Sequence, residues 1–137
     1  MKGSGMKRLS IAGLGLATAL TAGLAMARTG DQFHPIVVHF KRGSDSVTLT
    51  GTLRQNRDCC SYAFKAHAGQ QLYWRVDGPA TRQVIRYPDG HTDGPGLPNP
   101  LSFPADGAYV LRVSPNLMAD GAFGKFVLEL KIPPASR

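Results

Sequence analysis

Few residues in this chain have the types and spacing that catalysis or metal binding requires. Glu129 is the sole glutamate, and it alternates with Leu128 and Leu130 as a charge on the solvent face of a strand does. Paired carboxylates for glycoside hydrolysis would have to come from scattered aspartates, and no spacing favours any pair. No Gly-x-Ser-x-Gly elbow is present to present a nucleophilic serine. Cys59 and Cys60 with His67 contain the elements of a thiol–imidazole pair, but about eight residues of strand separate them. His34 and His39 flank one short apolar run, and their odd separation sends them to opposite faces. Asp89-Gly90-His91-Thr92-Asp93-Gly94 begins like a calcium loop, yet its twelfth position is Pro100, which supplies no carboxylate. A structural turn is the expectation there. No glycine-rich phosphate cradle is visible either. The chain is therefore expected not to be an enzyme, and to hold no metal and no cofactor.

Contact chemistry is better represented than reaction chemistry. Ser114-Pro115-Asn116-Leu117-Met118-Ala119-Asp120-Gly121-Ala122-Phe123-Gly124 separates two strongly alternating segments and is longer than a minimal hairpin turn. Leu117, Met118 and Phe123 are apolar groups among flexible residues. They either fold back onto the end of the domain or meet a partner. A second set, Tyr73, Arg75 and Tyr87, has the ring and guanidinium groups that stack on sugars or peptide bonds, as in an envelope module binding glycan or polypeptide.

The elements that must position these groups are strands. Ile36 to Phe40 is a short β-branched run, and Val47, Leu49 and Leu53 alternate with Ser and Thr around Gly51, where a bulge or close packing is expected. Cys60, Tyr62, Phe64 and Ala66 share one face, as do Leu72, Trp74 and Val76. Val84 to Tyr87 is short. Tyr109, Leu111 and Val113 alternate cleanly, and Phe126, Leu128, Leu130 and Ile132 form a longer last strand. Turn chemistry lies at Lys41-Arg42-Gly43-Ser44-Asp45, at Ala68-Gly69-Gln70 and at Asp106-Gly107, and the proline-rich Pro88 to Pro100 reads as a long surface loop. No helical stripe follows the first segment. The pattern predicts an all-β fold: an antiparallel two-sheet β-sandwich, jelly-roll-like, of seven or eight strands, with a small closed barrel as the alternative. Tyr62, Phe64, Trp74, Tyr109, Phe126 and Leu128 are its expected core.

Residues 1–27 are of another kind. Lys2, Lys7 and Arg8 precede an uncharged run from Leu9 to Leu24, and Ala25-Met26-Ala27 has the small-x-small form of a signal-peptidase site. The run is short for a membrane span. A cleaved secretory leader is expected, with no membrane insertion and a periplasmic or secreted domain over 28–137. Of the 16 Lys and Arg the leader holds three, which leaves 13 against nine acidic residues, a surplus of +4. Dispersed along the chain, it makes no nucleic-acid arm. Cys59 and Cys60 are adjacent, and neighbouring strand side chains point to opposite faces. A bridge between them would need an unusual backbone, so a buried Cys60 beside a more exposed Cys59 is expected. A dimer through Cys59 is the alternative, and would suit a structural or assembly subunit.

Phe40-Lys41-Arg42-Gly43-Ser44, Gly51, Tyr62-Ala63-Phe64-Lys65-Ala66 with Gly69-Gln70, and Phe103-Pro104-Ala105-Asp106-Gly107-Ala108-Tyr109-Val110-Leu111-Arg112-Val113 together resemble the periplasmic inhibitors of goose-type lysozyme. The same outline is similar to the wider class of pre-peptidase C-terminal β-sandwich modules, and it runs from about Val37 to Ile132. The resemblance implies an eight-stranded periplasmic sandwich whose loop after the Arg112-Val113 strand, here Ser114 to Lys125, enters a lysozyme's cleft. The family's loop carries an Asn-Asp-Ala-Arg run with a second arginine, apt for pairing with carboxylates. Here Asn116 and Ala119 echo that run, Asp120 stands where a basic group is expected, and Lys125 is the cation. The partner-binding residues so implied are Asn116, Leu117, Met118, Asp120, Phe123 and Lys125, with Arg112 and Tyr87 supporting.

Overall fold

The computed structural model describes residues 30–31, 34–55 and 59–135; the expected leader over 1–27 lies outside the described residues. Strands follow the alternating segments: β1 Ile36–Val37, β2 Ser46–Leu53, β3 Ser61–Ala66, β4 Gln71–Asp77, β5 Thr81–Arg86, β6 Thr92–Asp93, β7 Leu101–Ser102, β8 Gly107–Pro115 and β9 Gly124–Lys131. Five strands pair in the order β1-β3-β8-β5-β6, and four in the order β2-β9-β4-β7. All pairings are antiparallel except β1 with β3. No helix occurs among the described residues. The fold is thus the expected all-β two-sheet sandwich. Its strand count is nine rather than seven or eight, because β6 and β7 are two-residue pairings in and just after the proline-rich stretch.

The core forms because period-two alternation sends one side of each long strand inward. Tyr109, Leu111 and Val113 of β8 face Phe126, Leu128 and Leu130 of β9 across the two sheets, all at most 1% exposed. Tyr62 and Phe64 join them. Trp74 is only half-buried: its indole Nε1 donates to the Pro98 carbonyl at 3.2 Å, a polar tether that holds the ring at the rim. The expected surface loop accordingly folds back. Asn99 bridges the Trp74 backbone by donating from Nδ2 to its carbonyl (2.6 Å) and accepting from its N–H (3.3 Å), and Leu97 is buried.

Gly51 shows close packing rather than a bulge. The β2–β9 register runs unbroken from Ser46–Lys131 to Leu53–Gly124, and a Cβ at position 51 would lie 2.5 Å from Phe126 Cζ and 3.0 Å from the Tyr62 hydroxyl oxygen. The Phe126 ring fills the space that glycine vacates.

The two ends of the sandwich differ. One is weighted with aromatics: Phe103 and Tyr109 have ring centroids 4.5 Å apart, Tyr87 and Tyr109 5.6 Å, Phe64 and Phe103 6.0 Å. There the Tyr109 hydroxyl donates to the Ala105 carbonyl at 2.6 Å. The other end gathers residues 54–55 and 59–60 and the connections over 78–80 and 116–123, because Leu53 pairs with Gly124 and Thr81 with Pro115. Cys59 and Cys60 sit at this end and are joined by a disulfide. This corrects the expectation that adjacent cysteines stay unbridged, and it leaves neither thiol for a dimer through Cys59. Burial is as expected, with Cys60 5% exposed and Cys59 half-buried.

Candidate functional site

The β8–β9 connection is held at its base and free at its tip. The Asn116 N–H donates to the Ala80 carbonyl at 3.0 Å, and the Ala80 N–H donates to the Gly121 carbonyl at 3.1 Å, so one residue of the β4–β5 connection clamps both arms. Within the loop, the Ala119 N–H reaches the Asn116 carbonyl at 3.0 Å and the Met118 N–H reaches Asn116 Oδ1 at 3.1 Å. Asn116 thus closes an Asx-type turn, the local use for which asparagine is suited. Gly121 returns the chain with φ 70°, and Ala122 is buried beneath. Gly78 sets the clamp at its height, since a Cβ there would lie 2.6 Å from the Lys125 carbonyl oxygen.

This scaffold lifts two apolar side chains into solvent: Leu117 is 71% exposed and Met118 90%. Phe123, at 42%, flanks them, and Asp120 is exposed. Folding back, the other outcome open to this loop, is realised by Ala122 and not by the large apolar groups. A loop tied at its base by backbone hydrogen bonds, and displaying Leu and Met, has part of the ordering cost of binding met in advance. Its apolar groups are suited to entering a partner's recess.

The remaining expected site residues scatter. Asn116 spends its side-chain oxygen inside the loop. Lys125 is exposed but belongs to β9, opposite Thr52. Arg112 lies three residues before the loop's base, on the outer face of the five-stranded sheet, where its Nε donates to Ser114 Oγ at 3.2 Å. Tyr87 is 8% exposed and packs on Tyr109, about 20 Å along β8 from Pro115 at the usual strand rise. It supports the opposite end, not the loop. Its phenol is pushed above the ordinary range by burial and then by the Asp93 carboxylate, to which its hydroxyl donates at 3.4 Å. Strand pairing adds a cation that sequence spacing did not single out, Arg82, opposite Ser114 near the loop's base. The clamp at Ala80 was likewise not singled out, although Gly78-Pro79 is a legible turn signal.

The other candidate chemistries separate in space. Cys60 and His67 lie beyond opposite ends of β3, and His67 Nδ1 lies 3.6 Å from Asp106. Asp89 is tied to His91, whose backbone N–H and ring hold its carboxyl below the usual range. No cluster of three metal-ligating side chains occurs among the described residues. Tyr73 and Arg75 do share a face, the outside of the four-stranded sheet. With Thr48, Asn99, Glu129 and Lys131 they border an open groove of about 510 Å³.

No known family profile and no curated protein matches the chain. Among solved structures, a mutant of PliG-Ec, a periplasmic lysozyme inhibitor of g-type lysozyme from Escherichia coli, is similar with a TM-score of 0.58 at 22% identity, covering 72% of this chain and 96% of that one. PliG of Salmonella Typhimurium, likewise a periplasmic inhibitor of g-type lysozyme, gives 0.55 at 22% over the same shares. Aeromonas hydrophila PliG, described in the same words, gives 0.53 at 20%, covering 72% of this chain and 95% of that one. The sandwich seen here is therefore similar in fold to that of these inhibitors, nearly end to end on their side.

Proposed function

We propose that the protein is a non-enzymatic inhibitor of lysozyme, exported by cleavage after Ala27 and acting in the periplasm or outside the cell. The observation that carries this is the 116–123 loop, clamped at its base by Ala80, which holds Leu117 and Met118 in solvent on a sandwich similar to those of periplasmic lysozyme inhibitors. The loop tip enters the substrate cleft and excludes the glycan strand by occupying its place. Leu117, Met118 and Phe123 supply the apolar contact at the centre, where a few well-packed side chains carry most of the binding energy. Lys125, with Arg82 near the loop's base, adds positive charge toward cleft carboxylates, which speeds encounter more than it tightens the complex. Goose-type lysozyme is the expected target, and the result is protection of peptidoglycan. Residual activity of goose-type, chicken-type and invertebrate-type lysozymes, measured with purified protein in micromolar excess, tests this. Dose-dependent loss of goose-type activity is expected, and undiminished activity of all three would end the proposal.

The groove beside Tyr73 and Arg75 favours a second reading, an envelope module that binds glycan or peptide without inhibiting anything. Peptidoglycan pull-down in the absence of lysozyme, lost on Tyr73→Ala, would support it instead.

A further inference from the structure

The edge of a sheet exposes backbone donors and acceptors, and proteins ordinarily blunt it with short strands, charges, proline or bulges. Of the four edges among the described strands, three are blunted by length, since β1, β6 and β7 have two residues each. The fourth is β2. It runs eight residues, Ser-Val-Thr-Leu-Thr-Gly-Thr-Leu, with no charge, no proline and no break in its register with β9.

Alternation decides which backbone groups of β2 turn toward β9 and which turn to the open edge. The Ile132 N–H donates to the Asp45 carbonyl at 2.8 Å, so position 45 turns toward β9, and 46, 48, 50 and 52 turn away. Two contacts agree with this and close the ends of the edge. Ser44 Oγ accepts from the Ser46 N–H at 3.3 Å and donates to the Ser46 carbonyl at 3.1 Å, while Cys59 Sγ lies 3.3 Å from the Thr52 carbonyl oxygen. Between them the exposed Thr48 and Thr50 hold out two N–H and two C=O groups that meet no partner among the described residues. Val47 and Leu49 face the core opposite Leu130 and Leu128, which are at most 1% exposed, yet are themselves only half-buried, because no strand lies beyond them.

We propose that β2 pairs with β2 of a second copy of this chain, antiparallel about a two-fold axis at Leu49, joining two four-stranded sheets into one of eight. In that register Thr48 faces the other copy's Thr50 and exchanges two backbone hydrogen bonds with it, four across the pair. Leu49 meets its counterpart as a closely spaced, non-hydrogen-bonded pair, and each covers the other's exposed side. A second copy suits this edge because the strand is neutral along its length, so nothing in it repels itself. At each end Asp45 of one copy falls beside Arg54 of the other, opposite in charge, with Lys41 and Arg42 further out on the turn. Leu53 ends β2 beside the base of the 116–123 loop, so antiparallel pairing sends the two loops to opposite ends. Both stay accessible, and the pairing does not depend on what they bind. The contact is small, which sets its dissociation constant at roughly 1–100 µM.

Sedimentation velocity of the exported protein over about 1–500 µM, which brackets that range, tests it, with amide exchange followed at the same concentrations. A reversible monomer–dimer step is expected, with the amides of Thr48 and Thr50 gaining protection as the dimer fills. Thr48→Pro removes one of the open donors without touching the β2–β9 ladder, and should weaken pairing at least about tenfold. Thr48→Lys and Thr50→Glu should each weaken it, and their equimolar mixture should restore it, because the two substitutions then set opposite charges face to face. That mixture decides the matter should Thr48→Pro fail to fold. A monomer at every concentration, full protection of Thr48 and Thr50 already in the monomer, parent-like pairing in a folded Thr48→Pro, or a mixture that pairs no better than its components would overturn the proposal.

Discussion

Replacing Leu117 and Met118 together by serine separates folding from inhibition. Leu117 is 71% and Met118 90% exposed, and neither belongs to the core cluster, so the folded state has little of either to lose. The change in unfolding free energy should stay within about 0.5 kcal/mol, the range for surface positions. In a cleft the same side chains count differently. Full burial of a Leu or Met side chain is worth roughly 1.5–3 kcal/mol, so the pair can contribute about 3–6 kcal/mol. Taking the lower figure, because a loop tip seldom buries both completely, the inhibition constant should rise at least about 100-fold. The assay is a turbidity titration of goose-type lysozyme on cell walls, with urea unfolding of the same samples. Parent-like inhibition by a folded double variant would refute the loop mechanism. A loss of more than about 1 kcal/mol in unfolding free energy would refute the reasoning differently, by showing that the tip is structural.

Other expectations follow from the sandwich itself. Gly51→Ala drives a methyl against the Phe126 ring; overpacking costs about 1–3 kcal/mol, the strand preference for Ala returns roughly 0.5–1, and urea unfolding should show a net loss of about 1–2. Burial raises the Tyr62 phenol, and burial with Asp93 raises that of Tyr87. Their neutral forms are thus favoured in the folded state, while unfolded tyrosine ionises near roughly pH 10. Stability should therefore be intact below that pH and fall above it, with ultraviolet titration showing two phenols that ionise late or only on unfolding. Cys59–Cys60 closes a loop between neighbours, so its reduction should cost about 1 kcal/mol or less, and the oxidised protein should run as a monomer on non-reducing gels.

The long strands were legible because burial on one side writes itself into the chain as alternation. Tyr109-Val110-Leu111-Arg112-Val113 announces both its strand and which residues face in, and Phe126 to Ile132 does the same. The loop at 116–123 was legible as an interruption between them. What sequence spacing could not carry was long-range partnering. Nothing local to Ala80 says that its N–H and carbonyl bind the two arms of a loop some forty residues on. Nothing local to Tyr87 says that Tyr109 will cover it at the end away from that loop. Trp74 alternated like a core residue, but its indole N–H needed an acceptor, and Pro98 supplied one at the rim. The vicinal disulfide departs from the face-alternation rule at two residues that precede β3 rather than belong to it.

Hydrogen–deuterium exchange of the protein, alone and saturated with goose-type lysozyme, tests the central claim most directly. The account predicts that new protection concentrates at residues 116–123 and at the clamp over 78–80, with the aromatic end around 103–109 unchanged. Protection centred on the outer face of either sheet, with the 116–123 amides exchanging as in the free protein, would contradict it.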